Sequence, residues 1–173
     1  MNNMAIVKAT YTKSSTGAKA SIRYIEHRRG KDGEKITRNL FNGDGLMGRW
    51  QAYQMIDSAE KGSIFFRFVI SPDPQKEDTE KDLFLREVTE KTMLSLEDRI
   101  QREVSWVAAV HDDHAPHRHV HIVAVVPGRL QAQDFQSMRQ TATQAALAQR
   151  QERDLLRQMQ QRKEQEAQWE LQL

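Results

Sequence analysis

Two apolar runs that flank a histidine-rich segment place the strongest constraint on how this chain can fold. The runs are V-S-W-V-A-A-V-H (104–111) and H-V-H-I-V-A-V-V (119–126), and both are apolar at successive positions rather than at alternate ones. This pattern is typical of central strands that are covered on each side. We therefore predict that the two runs form adjacent central strands of one sheet.

The rest of the pattern predicts an α+β fold. Alternation and apolar spacing predict strands at 5–11, 36–41 and 63–70, and helices at 18–29, at 47–60 and from Thr79 onward. Together these elements predict a central antiparallel sheet with helices packed on it. We expect the helices on one face of the sheet and a metal site on the other, near its centre.

The composition changes near residue 131. Thirteen glutamines lie between Gln131 and Leu173, with Arg and Glu among them, and the apolar stripe becomes thin. We predict one domain over residues 1–130 and a mostly exposed helical extension over 131–173. The absence of cysteine excludes disulfides and thiolate ligands. No apolar run is long enough to cross a bilayer, so we expect a cytoplasmic protein with no membrane partner.

The net charge of +2 conceals an uneven distribution along the chain. Residues 1–50 contain ten Lys or Arg and four Asp or Glu, whereas residues 51–100 contain seven and eleven. A basic first third can attract a polyanion such as DNA. The alternative is an unevenly charged surface without a specific partner.

Five of the six histidines lie within residues 111–121, H-D-D-H-A-P-H-R-H-V-H. If the flanking strands form a hairpin, His111 lies opposite the start of the second strand, and His119 and His121 point to one face of it. Three imidazoles can then converge on one divalent cation and leave coordination positions open. The alternative is a polar loop without metal, but two imidazoles facing a buried layer are costly unless something satisfies them.

These residues resemble the HUH endonucleases, and within them the relaxases that mobilise plasmids and conjugative elements. The segment 111–121 is similar to the metal motif of that family, with the same spacing of three histidines. The segment S-I-R-Y-I-E-H-R-R on the first helix resembles its nucleophile motif, and F-R-F-V-I-S-P resembles a strand of the relaxase domain. The resemblance covers about residues 4–130, and His27 departs from the usual pattern.

The resemblance implies metal-dependent nicking and joining of one DNA strand at an origin of transfer, through a covalent 5′-phosphotyrosine. Tyr24 is then the nucleophile, and His111, His119 and His121 hold the ion, with Mg²⁺ or Mn²⁺ as the first choice. The ion, Asp113 or Arg28 can assist deprotonation of the tyrosine, and the sequence leaves these three open. Tyr11 and Tyr53 are more naturally packing residues.

The implied partners are single-stranded or duplex origin DNA and other proteins of the transfer complex. Candidate phosphate contacts are seven basic residues of the first third: Lys8, Lys19, Arg23, Arg28, Arg29, Lys31 and Arg38. Trp50 is expected in the core, with stacking on a base as the alternative. Two other functions stay open, namely a rolling-circle replication initiator and a non-catalytic DNA-binding protein with a structural metal hairpin. Initiators usually place the tyrosine after the histidines, whereas Tyr24 precedes them.

Overall fold

The computed structural model describes residues 5–112 and 116–172. Within these ranges the strands are β1 (Ile6–Thr12), β2 (Leu40–Asn42), β3 (Gly45–Met47), β4 (Ile64–Ser71), β5 (Ser105–His111) and β6 (His119–Val126). The helices are α1 (Ser15–His27), α2 (Arg49–Asp57), α3 (Leu85–Ile100) and α4 (Ala132–Leu171). The predicted α+β class is confirmed.

All six strands belong to one antiparallel sheet with the order β1-β4-β6-β5-β2-β3. Strands β5 and β6 pair along their whole length, from Ser105 opposite Val125 to His111 opposite His119. The prediction of adjacent central strands is therefore confirmed. Strand β3 was not predicted, and it forms a hairpin with β2 at the N-G-D-G turn, where Gly45 has a φ of 127°.

Helices cover both faces of the sheet. Strand side chains alternate between the two faces. On one face α3 and α4 pack over residues such as Phe68 and Ile122, and on the other α1 and α2 pack over Phe65, Val107 and Val123. The expectation of helices on a single face is wrong, because central strands that are apolar on both faces need a cover on each.

The segment 72–84 replaces the beginning of the helix predicted from Thr79. Helix α3 begins at Leu85, and Lys81 has a φ of 53°, a left-handed conformation that a right-handed helix does not contain. Arg118 donates two hydrogen bonds to the Asp78 carboxylate, at 2.9 and 2.8 Å. This ion pair connects the segment to the residue just before β6. Such a contact between distant residues cannot be predicted from a local helical pattern.

The two halves of α4 differ in packing. In the first half, Met138 and Ala142 are fully buried in the core, and Thr143 accepts a hydrogen bond of 3.0 Å from the Ala5 backbone. From residue 151 onward the helix is exposed at nearly every position. Apolar packing therefore continues beyond residue 130, and the predicted exposed extension describes the second half of the helix.

Candidate metal centre

Three histidines meet at the end of β5 and the start of β6. His111 and His119 are directly paired, and His121 lies opposite Ala109, so the antiparallel register brings the three rings to one face. The ring centroids lie 4.4 Å apart for His111 and His121, 4.9 Å for His119 and His121, and 5.4 Å for His111 and His119. This cluster lies on the face covered by α1 and α2, not on a helix-free face as expected.

Hydrogen bonds orient two of the rings. His111 is fully buried, and its Nε2 lies 2.8 Å from the Ile25 carbonyl oxygen of α1. His119 Nδ1 lies 3.2 Å from the His117 carbonyl oxygen. Nitrogens that face a carbonyl oxygen are donors, which determines the tautomer of each ring.

The electrostatics of the cluster favour a neutral imidazole at His121. Burial, the largest cause, and the neighbouring His111, His119 and Arg28 together lower the pKa of His121 from 6.5 to about 3. His119 Nε2 and His121 Nε2 lie 3.1 Å apart. A neutral imidazole carries the lone pair that a metal ion requires, so the ring is already in the protonation state of a ligand at neutral pH.

The donor set fits a divalent ion. One nitrogen from each of His111, His119 and His121 lies within 4.8 Å of the others, so the three can bind a single ion. Three imidazoles on one side of an ion leave its other positions open to water or a phosphate oxygen, as in catalytic metal sites. Asp113, the predicted acidic contributor, lies outside the described residues.

Tyr24 lies beside this cluster. Its ring centroid is 6.2 Å from that of His121 with the planes at 80°, and the side chain is 49% exposed. The Arg28 guanidinium lies 5.4 Å from the centre of the Tyr24 ring. The nucleophile candidate thus combines accessibility, a cationic neighbour and proximity to three potential metal ligands.

The two competing tyrosines are placed differently. Tyr11 pairs with Phe66 on the opposite face of the sheet, although it is 62% exposed. Tyr53 packs against the α1 and α2 side of the core, and its hydroxyl accepts a hydrogen bond of 3.2 Å from Arg23. Exposure alone does not distinguish Tyr24 from Tyr11, but the face of the sheet does.

A groove of about 490 Å³ runs from this tyrosine to the edge of the sheet. It is lined by Tyr24 and His121, and by Lys8 of β1 and Arg67 of β4. Lys8 lies on the same face of the sheet as the histidines, because Lys8 and His121 each pair with Val69. Arg67 lies on that face too, because it is two residues before Val69 in β4. Arg67 was missed in the sequence, although it is the one charged residue of an otherwise apolar strand.

The predicted basic residues occupy several places. Lys19 pairs with Asp57 at 2.7 Å and Arg23 contacts Tyr53, so both point toward α2. Arg29 donates to the Gly33 carbonyl, and Lys31 is exposed after α1. Of the residues predicted in the sequence, the structure brings Tyr24, Arg28 and the three histidines together, and Lys8 lines the adjoining groove. Arg38 is buried and donates a hydrogen bond of 2.7 Å to the Arg28 carbonyl.

The expectation that Trp50 belongs to the core is wrong. Its side chain is 78% exposed and packs edge-on against Tyr53, at 5.7 Å between ring centroids. A second and larger groove, of about 930 Å³, lies at the other end of the sheet around Leu94 and Trp106. It contains none of the three histidines, so its size does not make it the candidate site.

Compared with protein families, curated proteins and solved structures, the chain gives no match. Among the described helices, none combines the length and apolar character that crossing a bilayer requires. The function must therefore be inferred from the site and from the motif resemblance alone.

Proposed function

We propose that this protein is a metal-dependent DNA nicking and joining enzyme of the HUH relaxase type, acting at the origin of transfer of a plasmid or conjugative element. The observation that carries this proposal is the position of Tyr24 beside the three convergent histidines. Its exposed phenol ring lies 6.2 Å from the His121 ring, measured between centroids. A structural metal hairpin alone needs no exposed tyrosine at its side.

The chemistry follows from the groups present. Tyr24 Oη attacks the phosphorus of a DNA phosphodiester, and the bond from phosphorus to the 3′ oxygen breaks. The tyrosine loses its proton and the departing oxygen gains one, which leaves a 5′-phosphotyrosine and a free 3′-hydroxyl. The reverse attack rejoins the strand without another energy source. An ion on the three histidines would stabilise the negative charge that develops on the phosphate oxygens.

The charges around the tyrosine support a nucleic-acid substrate. Lys8 and Arg67 line the groove that leads away from Tyr24, and Arg28 lies over its ring. Cations spaced along a groove follow a phosphodiester backbone, which gives the binding its salt dependence. The three histidines beside these cations would bind an ion that can in turn bind an anionic phosphate.

The decisive experiment detects the covalent intermediate. The purified chain is incubated with Mn²⁺ and a randomised single-stranded DNA library labelled at either the 3′ or the 5′ end. We expect an SDS-resistant adduct that carries only the 3′ label, because the fragment downstream of the cut stays on the tyrosine. Tyr24→Phe is expected to abolish the adduct, whereas Tyr53→Phe, a packing tyrosine on the same face, retains it.

Two results would contradict the proposal. An adduct that persists in Tyr24→Phe would assign the nucleophile to another residue. Metal-dependent DNA binding with no adduct on any sequence of the library would favour a non-catalytic DNA-binding protein, the alternative that uses the same hairpin structurally.

A further inference from the structure

Three carbonyl groups in the last turn of α1 accept hydrogen bonds, one from the residue that follows the helix and two from distant segments of the chain. The Tyr24 carbonyl accepts from the Arg28 backbone at 2.8 Å, and the Glu26 carbonyl from the Arg38 backbone at 2.9 Å. The Ile25 carbonyl, between them, accepts from His111 Nε2 at 2.8 Å. The final carbonyls of a helix lack partners within it, so a donor at each of them stabilises the last turn. His111 is such a donor, although it comes from β5.

This contact determines which nitrogen of His111 can bind an ion. A ring that donates through Nε2 carries its lone pair on Nδ1. His119 is arranged the other way round, because its Nδ1 faces the His117 carbonyl and its Nε2 lies 3.1 Å from His121 Nε2. The three rings therefore present a mixed set of donors, with Nδ1 from His111 and Nε2 from His119 and His121.

We propose that His111 binds the ion through Nδ1 while its Nε2–H remains hydrogen-bonded to the Ile25 carbonyl oxygen. One ring then links the metal to the last turn of α1, the helix that contains Tyr24. This inference rests on the metal site of the proposed function and adds to it a role for His111 as a positioning residue. Ile25 directly follows Tyr24, so an ion that fixes the ring also fixes the backbone beside the nucleophile.

The physical basis is mutual reinforcement. A histidine that donates its second N–H to a carbonyl is a more basic metal ligand and has a fixed ring orientation. The carbonyl end of a helix carries partial negative charge, which favours the positive charge that a ring gains when it binds a cation. Metal binding therefore strengthens the bond to Ile25, and ordering of α1 strengthens metal binding by the same amount.

Imidazole NMR of the full chain tests the proposed ligation. Zn²⁺ serves as the probe because it is diamagnetic, and long-range proton–nitrogen correlations report which nitrogen of each ring carries the proton and which binds metal. We expect a protonated Nε2 and a metal-bound Nδ1 for His111, with the reverse for His119 and His121. His27, which lies outside the cluster, should show no metal-bound nitrogen.

A pair of variants separates the two roles of His111. In His111→Gln the side-chain amide reaches the position of Nε2, so we expect the bond to Ile25 to persist while Zn²⁺ affinity falls about 100-fold or more. In His111→Asn the amide occupies the position of Nδ1, so a ligand oxygen remains but the contact with α1 is lost. Zn²⁺ should slow hydrogen exchange of the Arg28 amide about tenfold in the unaltered protein and not in His111→Asn.

The possible failures are distinguishable. Zinc on His111 Nε2, or an equal slowing of the Arg28 amide in His111→Asn, would overturn the inference and leave the metal site and the proposed enzyme intact. Zinc that changes the signals of none of the three cluster histidines would overturn the metal site, and with it both the inference and the proposed function.

Discussion

The two faces of the central sheet are built from the same strands but differ in whether they contain polar side chains. On the α3 and α4 face, every inward position of β4 and β6 is apolar, from Ile64 to Ile70 and from Val120 to Val126. On the α1 and α2 face, the same strands contribute Arg67, His119 and His121 among apolar neighbours. The first face is a continuous core, whereas the second changes along its length from a core to a polar site.

The contrast between the two faces indicates where a small fold can accommodate a functional site. Polar groups inside an apolar layer cost free energy unless they find partners, so they are tolerated where the helical cover is incomplete. On the second face α1 covers the middle of the sheet and leaves a groove over β1 and β4. The continuous face, under α3 and α4, makes the sheet rigid, whereas the α1 and α2 face gives access to the site. The following predictions test this difference between the two faces.

The largest effect is expected on the continuous face. Phe68 is fully buried and stacks on Phe66 at 5.5 Å between ring centroids, so Phe68→Ala should lower the free energy of unfolding by about 3–5 kcal/mol. Chemical denaturation measures this change, and Zn²⁺ titration of the folded variant should show nearly unaltered affinity. Leu155→Ala, on the exposed half of α4, is the control. A loss of metal affinity in folded Phe68→Ala would show that the two faces are not separable.

The next effect belongs to the other face. His121→Ala removes one of three ligands, so Zn²⁺ affinity measured by calorimetry should fall about 100-fold, while the free energy of unfolding without metal should change by less than about 1 kcal/mol. His117→Ala, an exposed histidine of the same hairpin, should leave the affinity within about twofold. Equal losses in both variants would mean that the histidines bind metal without a defined geometry.

The two central strands and the convergence of the histidines could be predicted from the sequence. Strands β5 and β6 have the predicted bounds within one residue, because their apolar runs end at histidines and at Pro127. The convergence of three histidines followed from strand alternation and antiparallel pairing, which are local rules. The position of Tyr24 beside them was a hypothesis based on motif resemblance, and local pattern only placed it away from the apolar stripe of α1.

What could not be predicted depends on contacts between distant segments. The late start of α3 depends on the ion pair of Asp78 with Arg118, forty residues away in the sequence. The bond from His111 to the Ile25 carbonyl joins residues 86 positions apart. The position of Arg67 beside the groove depends on how much of the α1 and α2 face of β4 is left uncovered by α1. Sequence periodicity shows which residues share a face of a strand or helix. It does not show which of those faces a distant helix will cover.

A third prediction concerns Glu77, whose pKa is shifted in the opposite direction from that of His121. Burial lowers the pKa of His121 but raises that of Glu77, in the 72–84 segment, from 4.5 to about 7. Between pH 4.5 and 7 the unfolded chain therefore ionises Glu77 while the folded protein keeps it protonated. The associated stability is complete below pH 4.5 and is lost as the pH rises through 7.

Glu77→Gln tests this behaviour, because glutamine is neutral at every pH and can keep the bond from the Asp73 backbone. Its free energy of unfolding should match that of the unaltered protein at pH 4 and exceed it by about 1–3 kcal/mol at pH 8. Glu80→Gln is the control of opposite sign, since Arg157 lowers the pKa of Glu80. A stabilisation by Glu77→Gln that is the same at both pH values would show that packing, not charge, is responsible.

The fourth and weakest effect is expected among the basic residues of the α1 and α2 face. Lys8 and Arg67 line the groove beside Tyr24, whereas Lys19 and Arg23 of α1 contact side chains of α2. If single-stranded DNA follows the groove, Lys8→Ala and Arg67→Ala should each reduce the slope of log affinity against log salt by about 0.7, the value for one lost phosphate contact. Lys19→Ala and Arg23→Ala should change the slope less, as measured by fluorescence anisotropy with a labelled oligonucleotide. The reverse ranking would move the DNA path from the uncovered edge of the sheet to the outer surface of α1 and α2, where the exposed Trp50 would become its stacking residue.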